Sequence, residues 1–160
     1  MGWFVLYLKP RCEKKVGLFC RIQDIEHYLP LRTETKIYQR RKVIVEKPVF
    51  PGYFFVSTDD KGRVNLLKTN NVLRTLVPSH EESLLYELDQ VRKALMVDPT
   101  LGSCVALERG RRVRIKGGPF MGIEGVVYGL KGLAKVCLNV EMIGRAVAVE
   151  VNREFVEVLD

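Results

Sequence analysis

The 160-residue sequence predicts an α+β protein in two parts: an α/β sandwich over about residues 1–97 and a small β-barrel over about residues 104–160. Two observations predict this. In the first part, runs typical of strands alternate with segments of helical spacing. In the second part, only short segments of period-two alternation occur. Between them, residues 98–103 contain Pro99 and Gly102 with few apolar residues, which indicates a linker.

In the first part, an aromatic and β-branched run predicts an opening strand over residues 3–8. A helix is expected next over residues 11–22, because Cys12, Val16 and Cys20 recur at helical spacing. A long hairpin is expected over residues 33–47 with its tip at 39–42. The remaining expected elements are strands over 25–29, 53–57 and 72–77, a helix over 61–69 and a helix beginning near Ser79.

The second part shows its alternation most clearly near the carboxyl end. Apolar residues at Val136 and Leu138 alternate with polar ones, and Val147 and Val149 repeat the pattern. Turn residues occur at 117–119, 129–132 and 142–145. Short strands at this spacing predict a small barrel.

The net charge of +7 is concentrated in the amino-terminal third, where residues 9–47 hold eleven Lys or Arg against five Asp or Glu. Such an excess favours a phosphate backbone or another acidic partner, although a solvated basic face would look the same. The four cysteines are scattered without a C-x-x-C pair, so we expect no metal and no cofactor. No catalytic constellation is present, which argues against an enzyme. No apolar run is long enough to span a membrane, and the start does not resemble a signal peptide.

Two segments carry the most specific information. The first, residues 47–56 (KPVFPGYFFV), is an aromatic strand entered through a Pro-Gly turn. The second, residues 110–127 (GRRVRIKGGPFMGIEGVV), is two short strands joined by a basic, glycine-rich bend. In this order, and in a basic chain of this length, they resemble the NusG-type transcription elongation and antitermination factors. Those proteins join an amino-terminal polymerase-binding (NGN) domain to an SH3-like barrel that carries the KOW motif.

The resemblance implies a cytoplasmic bacterial factor, expected to be a monomer, that binds RNA polymerase and suppresses pausing or termination. In the family, the first strand and the aromatic strand line an apolar depression that receives the tip of the polymerase clamp coiled coil. The matching positions are Tyr7, Phe50, Tyr53 and Phe55. From the alternation alone, both faces of this strand could equally be buried in the sandwich.

Contact with nontemplate DNA is the second implied activity, and its candidate residues are Lys9, Arg11, Lys15 and Arg21. Lys and Arg on a helix surface are also commonplace, so plain solvation is the alternative. The cluster Arg40-Arg41-Lys42 at the hairpin tip could contact nucleic acid, could contact polymerase, or could simply be solvated.

Phe120, in the KOW bend, is at the position where the family meets Rho or a ribosomal small-subunit protein, and it could equally close the mouth of the barrel. A housekeeping factor usually carries Asn-Thr-Pro-Gly-Val before the strand near residue 72, whereas residues 68–73 are KTNNVL here. This departure favours an operon-specific paralogue. The alternative from another class is a structural, ribosome-associated RNA-binding protein, because KOW barrels also occur in ribosomal proteins.

Overall fold

The computed structural model describes residues 1–128 and 132–159. In chain order, their elements are β1 (Gly2–Leu8), α1 (Glu13–Ile22), β2 (Glu26–Tyr28), β3 (Leu31–Tyr38), β4 (Arg41–Pro48), β5 (Tyr53–Thr58), α2 (Asp60–Leu67), β6 (Val72–Leu76), α3 (Glu81–Val97), β7 (Ser103–Val105), β8 (Arg111–Ile115), β9 (Glu124–Tyr128), β10 (Ala134–Val140), β11 (Arg145–Val151) and β12 (Val156–Val158). They form two compact units, one of residues 1–31 with 50–81 and the other of residues 32–49 with 82–160.

The first unit is built on a four-stranded antiparallel sheet in the order β2-β5-β1-β6. Apolar side chains on one face of this sheet pack with α1 and α2, in a core that includes Leu6, Val16, Phe54 and Leu66. Each such side chain contributes about 1.5–3 kcal/mol by leaving water. The helical spacing seen in the sequence therefore places the inner face of α1 correctly.

The second unit contains α3, the β3–β4 hairpin and a six-stranded sheet in the order β12-β8-β9-β10-β11-β7. The valines between residues 136 and 151 lie in β10 and β11, which pair in antiparallel register from Ala134 opposite Val151 to Val140 opposite Arg145. The predicted strands are confirmed, and the chain has the expected mixed α/β class. Within the described residues β12 and β7 stand at opposite ends of the sheet order, so closure into a barrel is not established.

One predicted boundary is wrong. The helix expected from Arg11 begins at Glu13, because Lys9 to Cys12 form a turn closed by the Cys12 amide donating to the Lys9 carbonyl over 3.2 Å. Pro10 suits the second position of this turn, and Arg11 takes a positive φ of 64° at the third. The predicted turn over 129–132 falls largely outside the described residues.

Two features are absent from the described residues. No helix there is long and apolar enough to cross a membrane. No group of three or more His, Cys, Asp or Glu side chains there could hold a metal ion.

Candidate functional site

Two tyrosines form the centre of the candidate site in the first unit. Tyr7 near the end of β1 lies directly opposite Tyr53 at the start of β5. Their ring centroids are 5.2 Å apart and the rings are tilted by 51°, a spacing at which aromatic rings attract each other. Tyr7 is 37% exposed, and Tyr53 is half-buried. The pair therefore offers apolar ring surface to solvent with two hydroxyl groups beside it.

The Pro51-Gly52 turn fixes the position of this pair. The turn is closed by the Tyr53 amide donating to the Phe50 carbonyl over 3.0 Å, and the Gly52 carbonyl accepts from the Leu8 amide over 2.7 Å. Gly52 has a φ of +90°, and a Cβ placed there would lie 2.8 Å from Cε1 of Tyr7. Only glycine fits this position without displacing the Tyr7 ring.

A buried carboxylate also accepts a hydrogen bond from this turn. Glu13, in the first turn of α1, is 6% exposed. Its Oε2 accepts a hydrogen bond of 2.9 Å from the Gly52 amide. No local sequence pattern predicts this contact, because it joins residues that are 39 positions apart.

Phe50 and Phe55 do not contribute exposed surface, so these two residues do not line an open depression beside the tyrosines as the resemblance implies. Their exposed fractions are 1% and 0%. Phe55 lies in the middle of the sheet, opposite Val5 of β1 on one side and Tyr28 of β2 on the other. The Phe55 ring therefore lies in the buried middle of the sheet, whereas Tyr53 lies at the end of β5, where its ring is partly exposed.

Sequence reasoning missed one neighbour of the pair, Arg74 of β6. It is opposite Tyr7 on the side away from Tyr53, and it is exposed. Residues directly opposite in a sheet share a face, so Tyr53, Tyr7 and Arg74 form one row across three strands. Only the pairing of β1 with β6, which is long-range, could have revealed it.

The four basic candidates are all exposed but do not form one cluster. Lys9 and Arg11 lie in the turn that follows β1, close in sequence to Tyr7. Lys15 and Arg21 lie on α1, six positions apart, which separates them by about 9 Å along the axis and about 120° around it. Lys9 and Arg11 thus lie just after the end of β1, the strand that carries Tyr7, whereas Arg21 lies at the carboxyl end of α1.

In the second unit, Phe120 lies in the bend between β8 and β9 and is half-buried. Its carbonyl accepts from the Ile123 amide over 3.2 Å, and the Gly122 amide donates to the Ile115 carbonyl over 2.7 Å. The next residue, Met121, is 68% exposed. The bend is therefore a well-bonded loop that presents Met121 more fully than Phe120.

A polar cluster joins α3 to this sheet within the second unit. Tyr86 donates to the Glu124 carboxylate, and Arg114 binds the same carboxylate at 2.7 Å. The Glu124 amide donates to Gln90 over 2.8 Å. These donors hold the pKa of Glu124 below its usual value, with the Tyr86 hydrogen bond as the largest cause.

Glu87 lies beside that cluster and behaves differently. Burial raises its pKa to about 7, against a smaller opposing effect of the hydrogen bond from the Glu141 amide. Glu87 is therefore a carboxyl group that titrates close to neutral pH.

Comparisons with known proteins agree with the resemblance. The family model described as transcription termination factor nusG matches residues 1–94. The transcription termination/antitermination protein NusG of Borreliella burgdorferi is 25% identical over 98% of this chain and 97% of its own length. The protein of the same name from Thermus thermophilus is 28% identical over 90% of this chain and 86% of its own length. Among solved structures, Thermotoga maritima NusG, studied for its domain interaction, superposes with a TM-score of 0.50 at 21% identity, covering 99% of this chain and 97% of that one.

Proposed function

The chain belongs to the NusG family of transcription termination/antitermination factors, and from that premise we propose that it binds bacterial RNA polymerase and suppresses pausing or termination. It acts in the cytoplasm as a monomer and performs no covalent chemistry. Its effect on polymerase comes from binding one conformation of the enzyme more tightly than another.

The Tyr7–Tyr53 pair is the observation that carries this proposal. The tip of the clamp coiled coil is a helical partner, and helices dock by placing apolar side chains against a few aromatic anchors. Tyrosine suits such a surface because it combines a large apolar body with a polar tip. Phe50 and Phe55 support the turn and the sheet beneath the pair. Arg74, in the same row, favours acidic side chains on the partner.

Nontemplate DNA is the second proposed contact, through Lys9, Arg11, Lys15 and Arg21. All four side chains reach solvent, as contact with phosphates requires. Arg11 supports this role most strongly, because it occupies a left-handed backbone conformation that favours glycine. An exposed arginine kept at such a position is more easily explained by what its guanidinium contacts than by folding.

The carboxy-terminal sheet is proposed to be an SH3-like KOW barrel, beginning near residue 104, that receives Rho or a ribosomal small-subunit protein at Phe120. The proposed domain boundaries are 1–97 and 104–160, with residues 98–103 as the linker. A fragment of residues 104–160 should then give the dispersed amide spectrum of a folded β domain. A collapsed spectrum would show that the sheet needs α3, whose Gln90 binds the Glu124 amide.

Residues 68–73 support an operon-specific role over a housekeeping role. The Lys9 amide donates to the Asn71 carbonyl over 2.9 Å, and Asn70 has a φ of 61°. The segment thus keeps a tight turn while lacking the residues usual in housekeeping factors. Occupancy of the factor along the genome tests this role: enrichment on a few long operons supports it, and uniform occupancy contradicts it.

The direct test of function is transcription in vitro on a template with a strong pause site. The wild-type protein should shorten the pause, and a variant carrying Tyr7→Ala and Tyr53→Ala should lose that effect. Ile22→Ala is the matched control, because Ile22 of the same unit is 71% exposed but lies on α1. A pause unchanged by the wild-type protein, or an equal loss in the control, would reject the proposal.

A further inference from the structure

The distal half of the β3–β4 hairpin is a basic ribbon with unusually exposed apolar side chains. Ile37, Tyr38 and Ile44 are 76%, 69% and 71% exposed. Between Glu34 and Glu46 the chain has no acidic residue and four cations, namely Lys36, Arg40, Arg41 and Lys42. Lys36 interacts electrostatically with Glu34, whereas Arg40, Arg41 and Lys42 have no acidic residue near them in the sequence. Large exposed apolar side chains beside such cations indicate a binding surface.

The proximal half of the hairpin is, by contrast, neutralised and anchored. The Glu34 carboxylate forms ion pairs with Lys47 at 2.8 Å and with Arg32 at 3.5 Å. The Thr33 amide donates to the Pro99 carbonyl over 2.8 Å. A two-stranded ribbon is only marginally stable alone, so this anchored base is what allows the distal half to stand in solvent.

Both faces of the distal half carry cations and apolar groups. The two-residue connection Gln39-Arg40 places its flanking residues opposite each other on one face. Because strand side chains alternate, that face holds Lys36, Tyr38, Arg41 and Val43, and the other face holds Ile37, Lys42 and Ile44. A flat protein surface would contact only one of these faces, whereas a groove with two negatively charged walls would contact the cations of both.

The turn at the tip of the hairpin has a strained backbone. Gln39 and Arg40 have φ values of 48° and 66°. A two-residue turn with both residues at positive φ normally contains Asn-Gly, because side chains are strained there. Backbone strain retained at an exposed tip points to a role for these two side chains.

We propose that the tip of this hairpin inserts into the major groove of double-stranded DNA. That groove is about 12 Å wide and admits a two-stranded β-ribbon. Its two walls are phosphate backbones, one for the cations of each face. Gln39 and Arg40 then meet the base edges, where glutamine pairs with adenine and arginine with guanine. The site is separate from the four basic residues proposed above for single-stranded DNA, and it does not rest on binding to polymerase.

Duplex RNA fits less well, since its major groove is deep and too narrow for side chains to read. Single strands have no groove with two walls, and they would be bound by stacking on aromatic side chains, of which the distal half has only Tyr38. The ribbon therefore favours duplex DNA over these ligands.

Fluorescence anisotropy of the full-length protein with a short labelled DNA duplex, at several salt concentrations, tests the proposal. Arg41→Ala with Lys42→Ala removes one cation from each face and should reduce the slope of log affinity against log salt by about 1.8, at about 0.9 per phosphate contact. The charge-matched control, Lys61→Ala with Lys68→Ala, alters exposed cations of the first unit and should leave the slope unchanged.

A second variant separates binding from folding. Gln39→Asn with Arg40→Gly installs the turn sequence that the backbone prefers, so the hairpin should be at least as stable as before. Duplexes enriched from a random pool by the wild-type protein should share a short motif, and this variant should enrich none. Loss of the motif without loss of stability cannot be a folding defect.

Three results would overturn the proposal. The first is an unchanged salt slope in the Arg41 and Lys42 variant. The second is equal binding of the wild-type protein to duplex DNA, duplex RNA and single strands. The third is loss of polymerase binding by the tip variants with duplex binding intact, which would assign the ribbon to a protein partner instead.

Discussion

Replacing Gly52 with alanine should displace Tyr7 from the tyrosine site while the first unit stays folded. Gly52 combines a φ of +90° with a Cβ position 2.8 Å from Cε1 of Tyr7. The positive φ costs about 1–2 kcal/mol for an L-residue. The close approach is relieved by rotating Tyr7, which costs a further ~0.5–1.5 kcal/mol. Because Tyr7 is partly exposed, its ring can move, and the unit remains folded.

The displaced Tyr7 ring no longer packs against Tyr53. The partner therefore loses contact with an aromatic anchor that contributes about 2 kcal/mol to the binding free energy. Polymerase binding should weaken at least about tenfold. Urea unfolding followed by the fluorescence of Trp3, the single tryptophan, measures the stability of the first unit. A binding titration with core RNA polymerase measures the site.

Gly122→Ala is the matched control. Gly122 has a φ of +92° with nothing within 4 Å of its Cβ position, so it carries the same backbone strain without a displaced ring. It should leave polymerase binding unchanged. Equal binding by the Gly52 and Gly122 variants would refute the reasoning that the turn positions Tyr7 for polymerase.

Three further predictions concern charge and titration. Arg11→Gly should raise stability by up to about 1 kcal/mol, since glycine accepts the positive φ, while weakening binding to a transcription-bubble template; a destabilised variant would contradict this in thermal melts. Replacing Lys9, Lys15 and Arg21 together by alanine should reduce the salt slope on single-stranded DNA by about 2, at about 0.7 per contact, and an unchanged slope would mean that these charges only solvate the surface. The pKa of Glu87 is raised from 4.5 to about 7, so the folded state binds a proton more tightly than the unfolded state, and the free energy of unfolding falls as pH rises through that interval. Glu87→Gln should therefore flatten this part of a profile of stability against pH, measured from pH 4 to pH 8. A profile identical to that of the wild-type protein would show that Glu87 is not the group that causes this pH dependence.

The order and type of most elements could be predicted because each is specified locally, whereas the short strands β7 and β12 were not predicted. The β3–β4 hairpin follows from its apolar runs, and β10 and β11 follow from their alternating valines. The start of α1 was misplaced for a local reason too. Pro10 suits a turn, but Arg11 gives no sign of the left-handed conformation that it adopts.

Burial and long-range bonds could not be predicted. Alternation puts Tyr53 and Phe55 on one face of β5, yet one is half-buried and the other has no exposed surface. The difference comes from their positions along the strand, at its end and at its middle. Likewise, the carboxylate of Glu13 beneath the turn and the place of Arg74 beside Tyr7 depend on pairings between distant segments.

Equilibrium binding of core RNA polymerase to the Tyr7→Ala and Tyr53→Ala variants tests the central claim most directly. Each single variant should bind at least about tenfold more weakly than wild type, with the Trp3 unfolding transition retained, while Ile22→Ala should bind normally. Wild-type affinity in both tyrosine variants, with the fold intact, would contradict the claim that this pair is the polymerase-binding surface.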